Sequence, residues 1–297
     1  MATVRGSLEN KDDRGSDVYV RRENSFSPAF PRRTALALPA LLLARPAAAA
    51  LILPERITQG ALVTGRTEPG TRIAFEGRPC RVSPGGLFVF GLGRDAAPQA
   101  TLTVSGPSGT REERRIAVAP REWDIQHLNN LPGRMVTPDA EAMARIRGEQ
   151  ERLNAARRTD TATPHFAEGF EWPARGRISG VYGSQRILNG QPRAPHLGLD
   201  VAVPVGTPLV AAAGGRVTLA EDLYFTGNTM LIEHGHGVTT LYAHLSRMDL
   251  REGEAVSRGQ VIGASGATGR VTGPHLHLGL FWLSTSLDPR PVLPGQP

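Results

Sequence analysis

The chain has 297 residues, 40% hydrophobic and 21% charged, which is enough apolar material for one large domain or two modest ones. Its formal charge of +6 comes almost wholly from arginine, with Lys11 the single lysine; the basic residues are scattered and aromatics are only 5%, so no basic-aromatic stripe points to nucleic acid. The one cysteine, Cys80, excludes an internal disulfide framework, while the mildly cationic surface suits an anionic polymer.

Residues 1–50 read as an export segment. A polar stretch, 1–31, precedes Arg32-Arg33, an apolar run from Thr34 to Ala44, Arg45-Pro46 and then Ala47 to Ala50. That order matches a charged region, a short hydrophobic region and a small-residue cleavage site. The run falls short of the ~20 residues a membrane helix needs, so no stable span is expected after cleavage. The protein is then periplasmic or secreted, by the Sec route or, given the arginine pair, the twin-arginine route.

Residues 51–120 are short apolar runs broken by turn signals at Glu68-Pro69-Gly70, Ser83 to Gly86 and Ser105 to Gly109. Strands are expected at 60–64, 72–75, 86–90, 100–104 and 115–118, as in a small all-β sandwich. The run GALVTGRTEPGTRIAFEG with GGLFVFGL and TLTV resembles bacterial immunoglobulin-like modules. Residues 121–165 change character. Thr137, Pro138, Asp139 and Glu141 make a helix start, and sparse apolar positions at Met143, Ile146 and Leu153 predict one exposed connecting helix over 137–158. Its flanks, 120–133 and 157–164, read as linkers.

Strand and turn patterns resume in 166–297, where six of the eight histidines lie. In APHLGLDVAVPVG, 194–206, alternate residues share a face: His196, Gly198 and Asp200 on one side, Leu197, Leu199, Val201 and Val203 on the other. The stretch 228–246 reads as two strands joined by a turn at His234-Gly235-His236, with His244 closing the second strand opposite Leu241, Ala243 and Leu245. In TGPHLHLGL, His275, His277 and Gly279 face one way and Leu276, Leu278 and Leu280 the other. Two imidazoles and one carboxylate make a catalytic zinc set with a fourth position left to water. His196, Asp200, His244, His275 and His277 exceed three ligands, so the surplus histidines could act as general base and oxyanion stabiliser. The plainer alternative is a set of separate structural histidines. His234 and His236 fit structural or solvent-facing roles, and His127 and His165 fall in or beside linkers.

HLGLD at 196–200, YAHLS at 242–246 and GPHLHLGL at 273–280, in that order, resemble the M23 (lysostaphin-like, LytM) zinc metallopeptidases, with EGEAVSRGQVIGASGATG filling the interval before the last motif. The resemblance runs from about residue 177 to 293. It implies a compact antiparallel β domain, one zinc ion per chain on His196, Asp200 and His277, and catalytic roles for His244 and His275. The implied substrate is a stem or cross-link peptide of peptidoglycan, cut by a zinc-activated water. Envelope regulatory proteins are a further class of partner it admits. The rival reading is a non-catalytic LytM-like regulator of another wall hydrolase, a class that loses metal ligands; all five polar positions are kept here. The unit before residue 165 could in principle dock on the groove and restrain activity.

Overall fold

Alternation in the Gln99–Ser105 strand buries Ala100, Leu102 and Val104. This strand pairs antiparallel with Arg72–Phe75 on one side and Arg111–Ala117 on the other, and Arg78–Cys80 completes a four-stranded sheet. Leu87–Gly91, Leu62–Thr67 and Leu51–Ile52 form a second, three-stranded antiparallel sheet. Both sheets share one core, in which Phe75 stacks on Phe90 with ring centroids 4.4 Å apart. The charged Arg111–Ala117 strand forms an edge, where its Arg and Glu side chains discourage pairing with another chain. The structure, a computed structural model, describes residues 50–128, 140–188 and 190–295. The export segment expected at 1–50 therefore lies outside the described residues except for Ala50.

The five expected strands are all present, shifted by a few residues at their ends. Their core does not stop at residue 118. Val238, Leu280, Trp282 and Leu287 belong to the same buried cluster. Trp282 meets Phe75 edge-on at 6.0 Å, and Gly91 leaves no room for a Cβ, which would lie 2.8 Å from that of Trp282.

Beyond residue 166 the described residues build a ten-stranded sheet whose pairs are all antiparallel. Its main path runs Ala255–Val256, Gly215–Leu223, Gly227–Glu233, Val238–Met248, Leu276–Trp282, Leu199–Ala202, Arg177–Gly180. Leu199, Val201, Leu276, Leu278, Tyr242, Met230 and Ile232 face a second core. The fold is thus mainly β, as the sequence indicates.

Two expectations need correction. The helix, Ala140–Arg157, is not merely an exposed connector: Leu153 and Ala156 pack on Leu219, Leu223, Leu231, Leu241, Ala243 and Phe281. The apolar stripe is too thin to announce this. Polar ties complete the docking: buried Glu149 accepts the Tyr224 backbone N–H at 2.8 Å, and the Arg157 guanidinium lies 4.0 Å over the Phe281 ring. The stretch 120–133, read as linker, contains a strand, Ile125–Leu128, paired in parallel with Gln185–Leu188. No helix among the described residues is long and apolar enough to cross a membrane.

Candidate metal centre

Asp200 sits on Leu199–Ala202 directly opposite His277 on Leu276–Trp282. The leucines and valines of both strands fill the core beneath, so the carboxylate and imidazole project from the other face. His196 reaches the same point from the preceding loop. Its Nε2 is 3.1 Å from Asp200 Oδ1 and 3.1 Å from His277 Nδ1, and His277 Nδ1 is 2.8 Å from Asp200 Oδ1. Two glycines make the approach possible. A Cβ on Gly198 would lie 2.4 Å from His277 Cε1, and one on Gly180 would lie 2.3 Å from Asp200 Oδ2.

The two remaining histidines flank this triangle. His275 Nε2 is 3.8 Å from Asp200 Oδ1, and the His244 ring centroid is 4.8 Å from that of His275 and 6.1 Å from that of His277. The sequence reading has His244 closing its strand; the strand instead runs on to Met248. Tyr242 and Leu245, three residues apart, both enter the second core, whereas Leu241 and Ala243 pack under the helix. His244 absorbs the extra step with a left-handed φ of +64°, and the ladder to Gly227–Glu233 shifts register there. Strict alternation would have sent His244 to the Tyr242 face, into the core. The bulge turns it to the face of His277 instead. Non-glycine residues rarely adopt this conformation, and where they do the surroundings impose it; here the His244 N–H donates to Thr226 O at 2.8 Å.

Backbone carbonyls fix three of the four imidazoles. His196 Nδ1 donates to Val181 O at 3.0 Å, His244 Nδ1 to Thr268 O at 2.9 Å and His275 Nδ1 to Gly273 O at 2.9 Å. A carbonyl can only accept, so in each neutral ring Nε2 carries the lone pair. Burial works against the charge of Asp200, but its close contacts with the His196 and His277 rings outweigh it and hold the carboxyl far below the usual carboxylate range. Burial keeps His277 neutral despite the upward pull of Asp200. His244 is pushed down to about 4, first by burial and then, against its bond to Thr268, by the neighbouring histidines.

These donors fit a metal. Three acceptor-type atoms converge with at most one N–H, that of neutral His277, to share between them, an arrangement a common cation relieves. Ligands about 2.0–2.1 Å from a tetrahedral zinc ion stand roughly 3.3 Å apart. The observed 2.8–3.1 Å needs only a few tenths of an ångström of opening. His196, Asp200 and His277 are also the one group among the described residues with metal-ligand spacing.

The other histidines lie elsewhere. His234 is fully buried, its Nδ1 2.7 Å from Gly214 O and its Nε2 2.7 Å from Thr240 Oγ1. His236 is 2% exposed and its Nε2 donates to Ala162 O at 3.1 Å, so both are structural and neither faces solvent. His165 heads a short 3-10 turn, and His127 lies on the Ile125–Leu128 strand. Sequence reasoning missed the carbonyls of Val181, Thr268 and Gly273, which leave no side-chain signal. It also placed Leu197 on the core face; the strand begins only at Leu199, and Leu197 is 40% exposed beside His196.

The model of peptidase family M23 matches residues 194–289. Over 106 residues the chain is 45% identical to the peptidoglycan DD-endopeptidase ShyA of Vibrio cholerae, covering 35% of this chain and 25% of that protein. Over 82 residues it is 51% identical to the DD-carboxypeptidase/endopeptidase Mpg of Neisseria meningitidis, covering 28% of this chain and 19% of that protein. The matches thus span a quarter or less of these curated relatives. An M23 peptidase structure from Pseudomonas aeruginosa is similar with a TM-score of 0.61 at 29% identity, over 79% of this chain and 93% of that one. The region that carries His196, Asp200, His244, His275 and His277 thus matches peptidase family M23.

Proposed function

We propose that this protein is a zinc-dependent endopeptidase that hydrolyses stem or cross-link peptides of peptidoglycan in the cell envelope, in the periplasm or outside the cell. The observation that carries the reading is the convergence of His196 Nε2, Asp200 Oδ1 and His277 Nδ1 within 3.1 Å of one another, flanked by two imidazoles with oriented Nε2 atoms. The name of ShyA, a peptidoglycan DD-endopeptidase, supports the substrate class, and that of Mpg, a DD-carboxypeptidase/endopeptidase, the reaction type. In this reading His196, Asp200 and His277 hold one zinc ion. When bound, zinc supplies Lewis acidity and lowers the pKa of a water in its open position towards about 7.

The chain's own residues do the rest. Asp200 remains ionised and offsets part of the metal charge. His244 and His275 present lone pairs at Nε2, so either can accept a proton at the start of peptide hydrolysis. The imidazole that has taken the proton becomes an N–H donor, able to stabilise the oxyanion and then return the proton to the leaving amine. Side chains 17–25% exposed at His196, Asp200, His275 and His277 leave the centre open to a peptide.

The test is digestion of purified peptidoglycan by residues 51–297, with products separated by chromatography and identified by mass. Chelation should abolish cleavage and added zinc restore it. A zinc-loaded protein that releases no fragments, yet stimulates another wall hydrolase, would move the assignment to a regulator.

A further inference from the structure

His196 belongs to no strand, and its orientation comes from the loop that follows Arg177–Gly180. Its Nδ1 donates to Val181 O at 3.0 Å. Its backbone is clasped by the same loop: Gly183 N donates to His196 O and His196 N to Ser184 O, each at 2.8 Å. The clasp is in turn gripped from the N-terminal sheets. Arg94 Nε donates to Gly183 O at 2.9 Å and Nη2 to Gln185 Oε1 at 3.3 Å. The Arg94 side chain is 10% exposed, whereas its acidic neighbour Asp95 is 74% exposed, so solvent screens that pair and the guanidinium is committed to the loop. Trp123 closes the other side. Its ring lies so near Gly183 that a Cβ there would come within 2.0 Å of it, and it meets Tyr182 edge-on at 5.7 Å. The Arg94 and Arg121 guanidiniums hold the indole at 5.4 and 4.6 Å. Asp124 O accepts the Gln185 N–H at 2.8 Å, leading into the parallel pairing of Ile125–Leu128 with Gln185–Leu188.

We propose that the N-terminal sheets are a scaffold for the metal centre, with Arg94 and Trp123 acting as positioning residues that hold the Val181–Ser184 clasp and, through it, the imidazole of His196. The inference rests on His196 being a metal ligand. Both residues lie outside the stretch matched to family M23, and neither touches the reacting atoms. A ligand held by a loop is only as well placed as the loop, and loss of such outer partners commonly costs 10–100-fold in metal affinity.

The experiment measures zinc affinity by chelator competition on residues 51–297 with Arg94→Ala, Trp123→Ala and Arg81→Ala, alongside thermal unfolding. Arg81 ties the N-terminal part to Asp160 at 2.8 Å without touching the clasp, so it reports what a merely structural contact does. Arg94→Ala and Trp123→Ala should weaken zinc binding by about tenfold, while Arg81→Ala stays within about twofold of the parent. Folded Arg94→Ala and Trp123→Ala proteins that keep the parent affinity overturn the proposal, as does an equal loss in Arg81→Ala. Should Trp123→Ala not fold, Arg94→Lys decides, since it keeps the charge but loses the two-point grip. A parent protein that binds zinc but cleaves no peptidoglycan removes the catalytic reading and leaves the scaffold inference to the affinity ratios; a parent that binds no zinc removes both.

Discussion

Asp200 sits where burial and its contacts pull its carboxyl in opposite directions, and the two neighbouring imidazoles decide the outcome. That keeps an anionic oxygen at the triangle, and the proposed function gives the two histidines that share a face different jobs. His277→Ala removes a proposed ligand, so zinc content and turnover should fall together. His275→Ala and His244→Ala should keep the metal and lose about 10²–10⁴-fold in rate. Metal analysis and cleavage assays on the three proteins check this; His275→Ala emptying the site while His277→Ala stays loaded would mean that the roles are exchanged. Gly198 gives an independent handle. A methyl there meets His277 Cε1 at 2.4 Å and the Leu278 carbonyl at 2.8 Å, so Gly198→Ala should displace the ring and weaken zinc binding by about 10–100-fold. Unchanged affinity in that variant would show that the ring tolerates the shift.

The hairpin of Gly227–Glu233 and Val238–Met248 shows what was legible at the scale of an element and what was not. Alternation placed Asp200 and His277 on one face because both lie in regular paired strands. It set His196 and His244 on polar faces too, but for a reason that does not hold in the fold: His244 depends on a bulge secured by the Thr226 and Thr268 carbonyls, and the ring of His196 is set by a loop carbonyl. The hairpin turn was harder still. Its position in a turn left His234 either structural or solvent-facing; it is fully buried with both ring nitrogens bonded, hence structural. Burial pushes its pKa down to about 4. Between about 6.5 and 4 the unfolded chain therefore binds a proton that the folded chain refuses. The contribution is complete above pH 6.5 and is lost on acidification to about 4, roughly 3 kcal/mol in all. Glu233 runs the other way, since burial raises its carboxyl, so stability from its protonated form fades as pH rises. Urea unfolding of the parent and His234→Gln at pH 7 and 4.5 isolates the histidine. The variant should be weaker at pH 7 and less sensitive to acid; equal slopes would mean that His234 titrates normally in the fold.

For the whole molecule, the decisive fact is that the boundary suggested by composition near residue 120 or 165 is not a boundary of the core. Val238, Leu280, Trp282 and Leu287 of the C-terminal half share a cluster with Phe75, Phe88 and Phe90 of the N-terminal half. Asp288 accepts an ion pair from Arg121 at 2.8 Å, and its N–H donates to Gly60 O at 2.8 Å. An inhibitory module that swings away from a groove should leave little exposed apolar surface behind. Removing this one uncovers those four side chains, at about 1.5–3 kcal/mol each when fully buried, and thus at most about 6–12 kcal/mol. Small domains have only about 5–15 kcal/mol in total. A fragment beginning at Pro164 should therefore unfold at a much lower temperature than residues 51–297, or aggregate, and should bind zinc more weakly because the clasp around His196 has lost Arg94 and Trp123. Calorimetry, zinc titration and peptidoglycan cleavage on the two proteins check it. A fragment that is folded, fully loaded and faster than the longer protein would restore the inhibitory role, because only relief of a block could raise the rate after so much packing had been removed.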